Sequence, residues 1–260
     1  MTPPPRGDFA QYPSLANRPV VITGGATGIG ASLVAHFAAQ KARVGFLDLD
    51  STAGEALAAA LARTSSYPPM FVRCDLRDIA ALRTAIAAIR TRLGAVRVLI
   101  NNAADDNRHD FDDVTPTAWD AGIAVNLRHA FFAAQAVKDD MRASGGGSII
   151  NLGSISWMTK EGGMPVYTTA KSAMQGLTRS LAQNLGRHRI RVNTLVPGWV
   201  MTEKQLRLWV NDQSSRKIDE NQCLPDRLEP ADVARMALFL AADDSASCTA
   251  QDFIVDGGWS

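Results

Sequence analysis

From Pro19 onward the hydrophobic positions fall into two alternating kinds of stretch. Short runs rich in β-branched residues are "VVIT" (20–23), "RVGFLD" (43–48), "MFVRC" (70–74), "VRVLI" (96–100), "SIINL" (148–152), "RVNTLV" (191–196) and "FIVD" (253–256). They are nearly continuous in apolar side chains, the pattern of strands buried on both faces. Between them lie longer Ala- and Leu-rich stretches: "GASLVAHFAAQ", "AGEALAAALAR", "IAALRTAIAAIRTRL", residues 117–143, residues 165–185 and "ADVARMALFLAA". This alternation predicts repeated βαβ units, and hence a single α/β domain with a seven-stranded parallel sheet and helices on both faces.

No internal repeat or linker interrupts that order, so the domain is expected over residues 16–260. The polar, Pro-rich start predicts a loosely ordered arm over residues 1–15. One stretch breaks the rhythm. Residues 202–229 connect a strand to a helix by more chain than compact folds usually spend, which predicts a substrate loop or lid, or else a surface excursion.

Composition narrows the function classes. The 260 residues carry a formal charge of +1, with 46% hydrophobic and 20% charged positions and no apolar run long enough for a membrane helix. Lys and Arg are scattered, leaving no basic footprint for nucleic acid, so a small, neutral-to-polar partner is expected. Cys74, Cys223 and Cys248 are far apart and lack metal-ligand spacing, so no metal site is expected. Without an apolar leader segment at the N-terminus, the chain is expected in a reducing cytoplasm.

The first candidate chemistry is a glycine turn. "TGGATGIG" follows the first strand directly and opens a helix, with Gly24, Gly28 and Gly30 separated by Thr27 and Ile29. Such a turn lets the backbone approach a pyrophosphate, whose charge then sits at a helix N-terminus. Twenty residues beyond Gly28, Asp48 ends the second strand, where a carboxylate accepts from ribose hydroxyls. These placements together predict a Rossmann-type dinucleotide site. Asp48 would repel a 2′-phosphate and neither Thr27 nor Leu49 offers a cation, so NAD is expected and NADP disfavoured. Cys74, Asp75 and Leu76 close strand three, and Asn102, Ala103 and Ala104 follow strand four, all at strand carboxyl ends where ligands of open sheets bind. Asp75 is equally placed to cap the next helix, and the asparagines to stabilise a turn.

The second is "YTTAK". Tyr167 and Lys171 are four apart, so a helix sets their Cβ atoms about 5–6 Å from each other. Helix packing alone could produce the pair. Oxidising an alcohol nevertheless requires a base, and a phenol of pKa about 10 needs an opposite charge nearby to serve as one. Lys171 is expected to lower it.

Taken in order, "TGGATGIG", "NNAA", "VNL", "IINLGSIS", "YTTAK", "VPGWVMT" and "VDGGW" resemble the short-chain dehydrogenase/reductase family over residues 16–260. "NNAADDNRHDFDDVT", "VNLRHAFFAAQAV", "GSISW", "NQCL" and "LFLAADDSASCTAQDFIVDGGW" are similar to NAD-dependent aldose 1-dehydrogenases of the D-xylose and L-arabinose type. The resemblance implies a catalytic set of Asn126, Ser154, Tyr167 and Lys171. It makes Tyr167 the base, Ser154 the hydrogen-bond donor to the substrate oxygen, Asn126 the holder of a relay water, and Lys171 a ligand of the nicotinamide ribose. It also implies a nicotinamide-side turn at Pro197, Gly198 and Val200 with Thr202 beside it, and a homotetramer with "DGGWS" at an interface. A sugar asks for polar groups and an aromatic platform, which Asn107, His109, Ser156, Trp157, Trp199 and Gln205 could supply alongside Ser154 and Tyr167. Oxidation of the anomeric hydroxyl to an aldonolactone is the chemistry the resemblance implies. Another alcohol or ketone (a keto-deoxy sugar acid, a 3-oxoacyl thioester) is the alternative, and a non-catalytic nucleotide sensor a third.

Overall fold

The computed structural model describes residues 9–260. Part of the arm expected over residues 1–15 lies outside the described residues. Within the described part, Pro13–Leu15 forms a 3-10 turn with Leu15 fully buried.

Seven strands form one parallel sheet: β1 (Pro19–Thr23), β2 (Arg43–Asp48), β3 (Met70–Arg73), β4 (Val98–Asn101), β5 (Gly147–Leu152), β6 (Ile190–Pro197) and β7 (Asp252–Val255). Their spatial order is 3-2-1-4-5-6-7. The helices in sequence are α1 (Gly28–Ala39), α2 (Ser51–Ala62), α3 (Ile79–Leu93), α4 (Pro116–Ile123), α5 (His129–Ala143), α6 (Pro165–Leu185), α7 (Glu203–Leu208), α8 (Asp212–Asn221) and α9 (Pro230–Ala241). The strands bury residues on both faces, so the sheet divides the core into two apolar clusters. One joins Val20, Ile22, Ile100 and Ile150 to α1 and α9, and the other joins Val21, Leu99 and Ile149 to α3 and α5.

Two features position the site. The order in which strands are added to the sheet switches sides between β1 and β4, which opens a crevice at the strand carboxyl ends, where such sheets take their ligands. The long helix expected over 117–143 is not continuous. A π-helical turn at Ala124–Arg128 separates α4 from α5 and carries Asn126, the insertion type that recurs at functional sites. The 202–229 segment is not an open loop either: α7 and α8 occupy it, capped by Thr202 and Asn211.

Candidate active site

The crevice is a cleft of about 860 Å³, of the size that holds a small molecule. Its first half is the glycine turn. Gly24 and Gly28 have φ of +66° and +54°, in the left-handed region that a side chain disfavours. A Cβ on Gly30 would stand 1.8 Å from the Gly24 carbonyl oxygen, so the turn closes to a pitch only glycine allows. The Asn102 side chain fixes it from below, donating to the carbonyls of Thr23 and Gly24 at 3.1 and 2.7 Å. Asp48 braces it from the side, accepting from Ala26 N–H at 2.9 Å, and is itself held by Asp50 N–H at 3.1 Å. Thr27, Ile29, Cys74, Asp75, Leu76, Ala103 and Ala104 line the same half. Burial pushes the Cys74 thiol up to about 11, so it is an apolar wall. Asp75 is fixed by a bidentate pairing with Arg77, at 2.7 Å for the shortest contact, which holds its carboxyl below the ordinary range. Capping of α3 falls to Asp78, not Asp75.

The second half is built around α6. Tyr167 and Lys171 share one face of it, with Lys171 Nζ 5.6 Å from the Tyr167 ring centroid. Lys171 is 1% exposed and donates to the Leu152 carbonyl oxygen at 2.7 Å. Ser154 follows β5; its hydroxyl bonds the Tyr167 phenol and accepts from Ser156 N–H at 3.1 Å. Asn126, 2% exposed, holds the turn after β4 in both directions, accepting from Asp105 N–H at 2.8 Å and donating to Asp105 C=O at 3.1 Å. All four side chains line the one cleft.

The electrostatics differ from the sequence expectation. Burial dominates at Tyr167, pushing the phenol up to about 12; the Ser154 hydrogen bond and Arg108 pull it down, and Asp106 pushes it up. Burial likewise brings Lys171 down to about 8, against the pull of Asp106. The lysine ammonium is anchored on the Leu152 carbonyl, and burial remains the dominant influence on the phenol.

Pro197, Gly198, Trp199, Val200 and Thr202 follow β6 along the far wall. Gly198 packs on Asp256, where a Cβ would lie 2.7 Å from its Cα. Thr202 caps α7 through Gln205 N–H and sits across from Gly28. Of the expected substrate residues, Asn107, His109, Ser156, Trp199 and Gln205 line the cleft. Trp157 does not. It ends the 3-10 turn Ile155–Trp157, where successive side chains point a third of a turn apart, so Ser156 reaches the cleft and Trp157 leaves it. Trp199 and Gln205 are bonded to each other, Nε1–H to Oε1 at 3.0 Å.

Several lining groups escape the sequence reading. Asp106 accepts from Lys204 Nζ and Gln205 Nε2, both at 2.6 Å. Arg108 contacts Met164 Sδ and stacks over the Trp209 ring at 5.3 Å. Trp259, expected with "DGGWS" at an interface, lines the cleft, 6.4 Å from the Trp199 ring. Its motif was visible in the sequence, but its destination depends on where the C-terminus returns. Below the site, α6 is held by a buried polar chain: Asn101 donates to Asn151 at 2.8 Å, Asn151 to Thr178 at 2.9 Å, and Thr194 bonds Thr178 at 3.0 Å.

A family model described as enoyl-(acyl carrier protein) reductase, one of the short-chain dehydrogenases, matches residues 24–260. The chain belongs to the short-chain dehydrogenase/reductase family. It is 46% identical over 249 residues to a probable galactose dehydrogenase of Rhizobium meliloti, covering 96% of this chain and 97% of that one. It is also 46% identical over 250 residues to a D-xylose 1-dehydrogenase of Caulobacter vibrioides, covering 96% and 98%. Among solved structures it is similar to a putative short-chain alcohol dehydrogenase from Sinorhizobium meliloti, with TM-score 0.89, 29% identity and coverage of 95% and 97%. It is similar too to a blue fluorescent protein from a metagenomic library in complex with NADPH, with TM-score 0.87, 31% identity and coverage of 95% and 99%. This short-chain dehydrogenase is therefore an oxidoreductase that uses a nicotinamide cofactor, and its glycine cradle fits one. No helix among the described residues is long and apolar enough to cross a membrane.

Proposed function

We propose that the enzyme oxidises the anomeric C1 hydroxyl of an aldose with NAD, giving the aldonolactone. The observation that carries this reading is that both 46%-identical, full-length relatives are named for sugars. Asp48 supports NAD over NADP: its carboxylate ends β2, and Arg77, a cation lining the same cleft, is already paired with Asp75.

When bound, the oxidised nicotinamide supplies the hydride acceptor and a positive charge. Gly24, Thr27, Gly28, Ile29 and Gly30 would hold the pyrophosphate, Asp48 the adenosine ribose, and Lys171 the nicotinamide ribose. Tyr167 takes the proton of the anomeric hydroxyl, and Ser154 donates to the same oxygen, a contact that strengthens as charge develops there. The phenol standing at about 12 needs further positive charge to ionise near neutrality. Asn126 holds the turn that floors the site. The relatives and the polar rim support a sugar enzyme over a reductase of acyl thioesters.

Formation of NADH is measured against a panel of pentoses, hexoses, simple secondary alcohols and keto acids. Turnover of aldoses with lactone as product is expected. Turnover confined to the non-sugar substrates would overturn the sugar reading and leave the oxidoreductase standing.

A further inference from the structure

Among the described residues, Asp106 is the carboxylate that touches both α7 and the electrostatics of the catalytic pair. Its two oxygens are taken by Lys204 and Gln205 on α7, each at 2.6 Å, and Gln205 passes the connection on to Trp199. The pair is half-buried, with Asp106 at 23% and Lys204 at 39% side-chain exposure, so its charge acts through a medium of lower dielectric than bulk water. Two more ties hold the segment to the cleft rim. Arg108 lies over Trp209, and Lys217 pairs with Glu161 at 2.7 Å. α7 itself buries no residue, so it can detach at modest cost, while α8 behind it stays anchored by the fully buried Ile218.

We propose that Asp106 is a positioning residue through which α7 acts on Tyr167 and Lys171. With α7 seated, Lys204 neutralises the carboxylate; with α7 displaced, the carboxylate loses that partner and keeps the weaker influence of Arg108. Seating the segment then favours the ionised phenol, and releasing it disfavours it. Base strength is thereby tied to closure of the substrate side. The charged and titratable groups facing Tyr167 are few. Ser154 approaches from the end of β5, Lys171 from its own helix, Asp106 and Arg108 from the turn after β4, and Lys204 from α7 by way of Asp106. Asp105 stands 3.8 Å from Lys204 and shares its charge, while buried neutral His129 on α5 faces Lys171.

The inference rests on the oxidoreductase reading but not on the identity of the sugar. Its test uses two substitutions that break the same ion pair, Lys204→Met and Asp106→Asn. Removing the lysine leaves the carboxylate exposed to the phenol, and removing the carboxylate leaves nothing to repel. The acid limb of the turnover–pH profile is expected to move up by about one pH unit in Lys204→Met and down in Asp106→Asn, with Lys204→Arg close to the parent. A second readout needs no substrate: near-ultraviolet titration of tyrosinate, taken as the difference from Tyr167→Phe, should show the same opposite displacements. A purely mechanical latch predicts a raised KM in both variants with no movement of either profile. That result, or displacement of both in one direction, would overturn the proposal, whichever alcohol is oxidised.

Discussion

Lys171 Nζ lies 5.6 Å from the Tyr167 ring centroid while donating to the Leu152 carbonyl oxygen at 2.7 Å. The ammonium is therefore held by the sheet rather than by the phenol, one helical turn from the group it serves. Burial sets Lys171 at about 8 and Tyr167 at about 12, so neither side chain is free to titrate as in water.

Removing the phenolic oxygen tests this centre most directly. Tyr167→Phe keeps the ring and its packing on α6 but has no proton to exchange. Turnover is expected to fall by about 10²–10⁴-fold or more, the worth of a positioned acid–base group. Cofactor affinity, read by fluorescence titration, should stay within a few-fold of the parent. Normal turnover in this variant would remove Tyr167 from the mechanism.

Cofactor choice should hinge on Asp48. Its carboxylate ends β2, with one oxygen accepting from Ala26 N–H of the glycine turn at 2.9 Å and the other from Asp50 N–H just beyond the strand at 3.1 Å. A 2′-phosphate brought there meets like charge costing on the order of 1 kcal/mol or more. Asp48→Asn is expected to lower the ratio of kcat/KM for NAD over NADP by about tenfold, the equivalent of ~1.4 kcal/mol. An unchanged ratio, measured with both cofactors on one substrate, would place the discrimination elsewhere.

Acid stability should depend on His129. It is fully buried, and burial, followed by the Lys171 charge, pushes its imidazole down to about 3 from an ordinary 6.5. The folded value is the depressed one, so the unfolded chain takes up the proton first. Its contribution is complete above pH ~6.5 and is lost as pH falls toward 3, with a slope of up to about 1.4 kcal/mol per pH unit. Urea midpoints of the parent across that window should fall more steeply than those of His129→Gln. Parallel curves would show that other groups carry the acid lability.

The buried chain beneath α6 should matter for stability more than for chemistry. Thr178→Val keeps the shape but strands the Asn151 amide and the Thr194 hydroxyl, each inside the core. A loss of about 1–3 kcal/mol is expected from the unpaired groups. Thr178→Ser, which retains the hydroxyl, should lose less. Thermal melts of the two variants distinguish this from simple loss of the threonine methyl, which would penalise the serine more.

How much of this was legible beforehand depends on how far apart the interacting residues are in the chain. The seven strands and the helices between them follow from local periodicity: a run such as Val20–Thr23 or Arg43–Asp48 carries its own signature of two-sided burial. Gly24, Gly28 and Gly30 were equally readable, because a turn that excludes Cβ writes itself as glycine within one loop. Residues Tyr167 and Lys171 needed only a helix to meet. Trp157 misled because the 3-10 turn, not the residue type, decides which neighbour of Ser156 faces the cleft.

The sequence by itself thus determined the order of elements, the dinucleotide turn and the tyrosine–lysine face, since each is set by neighbours within a few positions. Only the tertiary structure decided that Asp106 meets Lys204, 98 residues away, that Trp259 returns to the cleft, and that Thr178 closes a polar chain begun at Asn101. It also decided that burial dominates at Tyr167. Such pairings depend on how separate elements pack and on the dielectric they create together, and no local pattern encodes either.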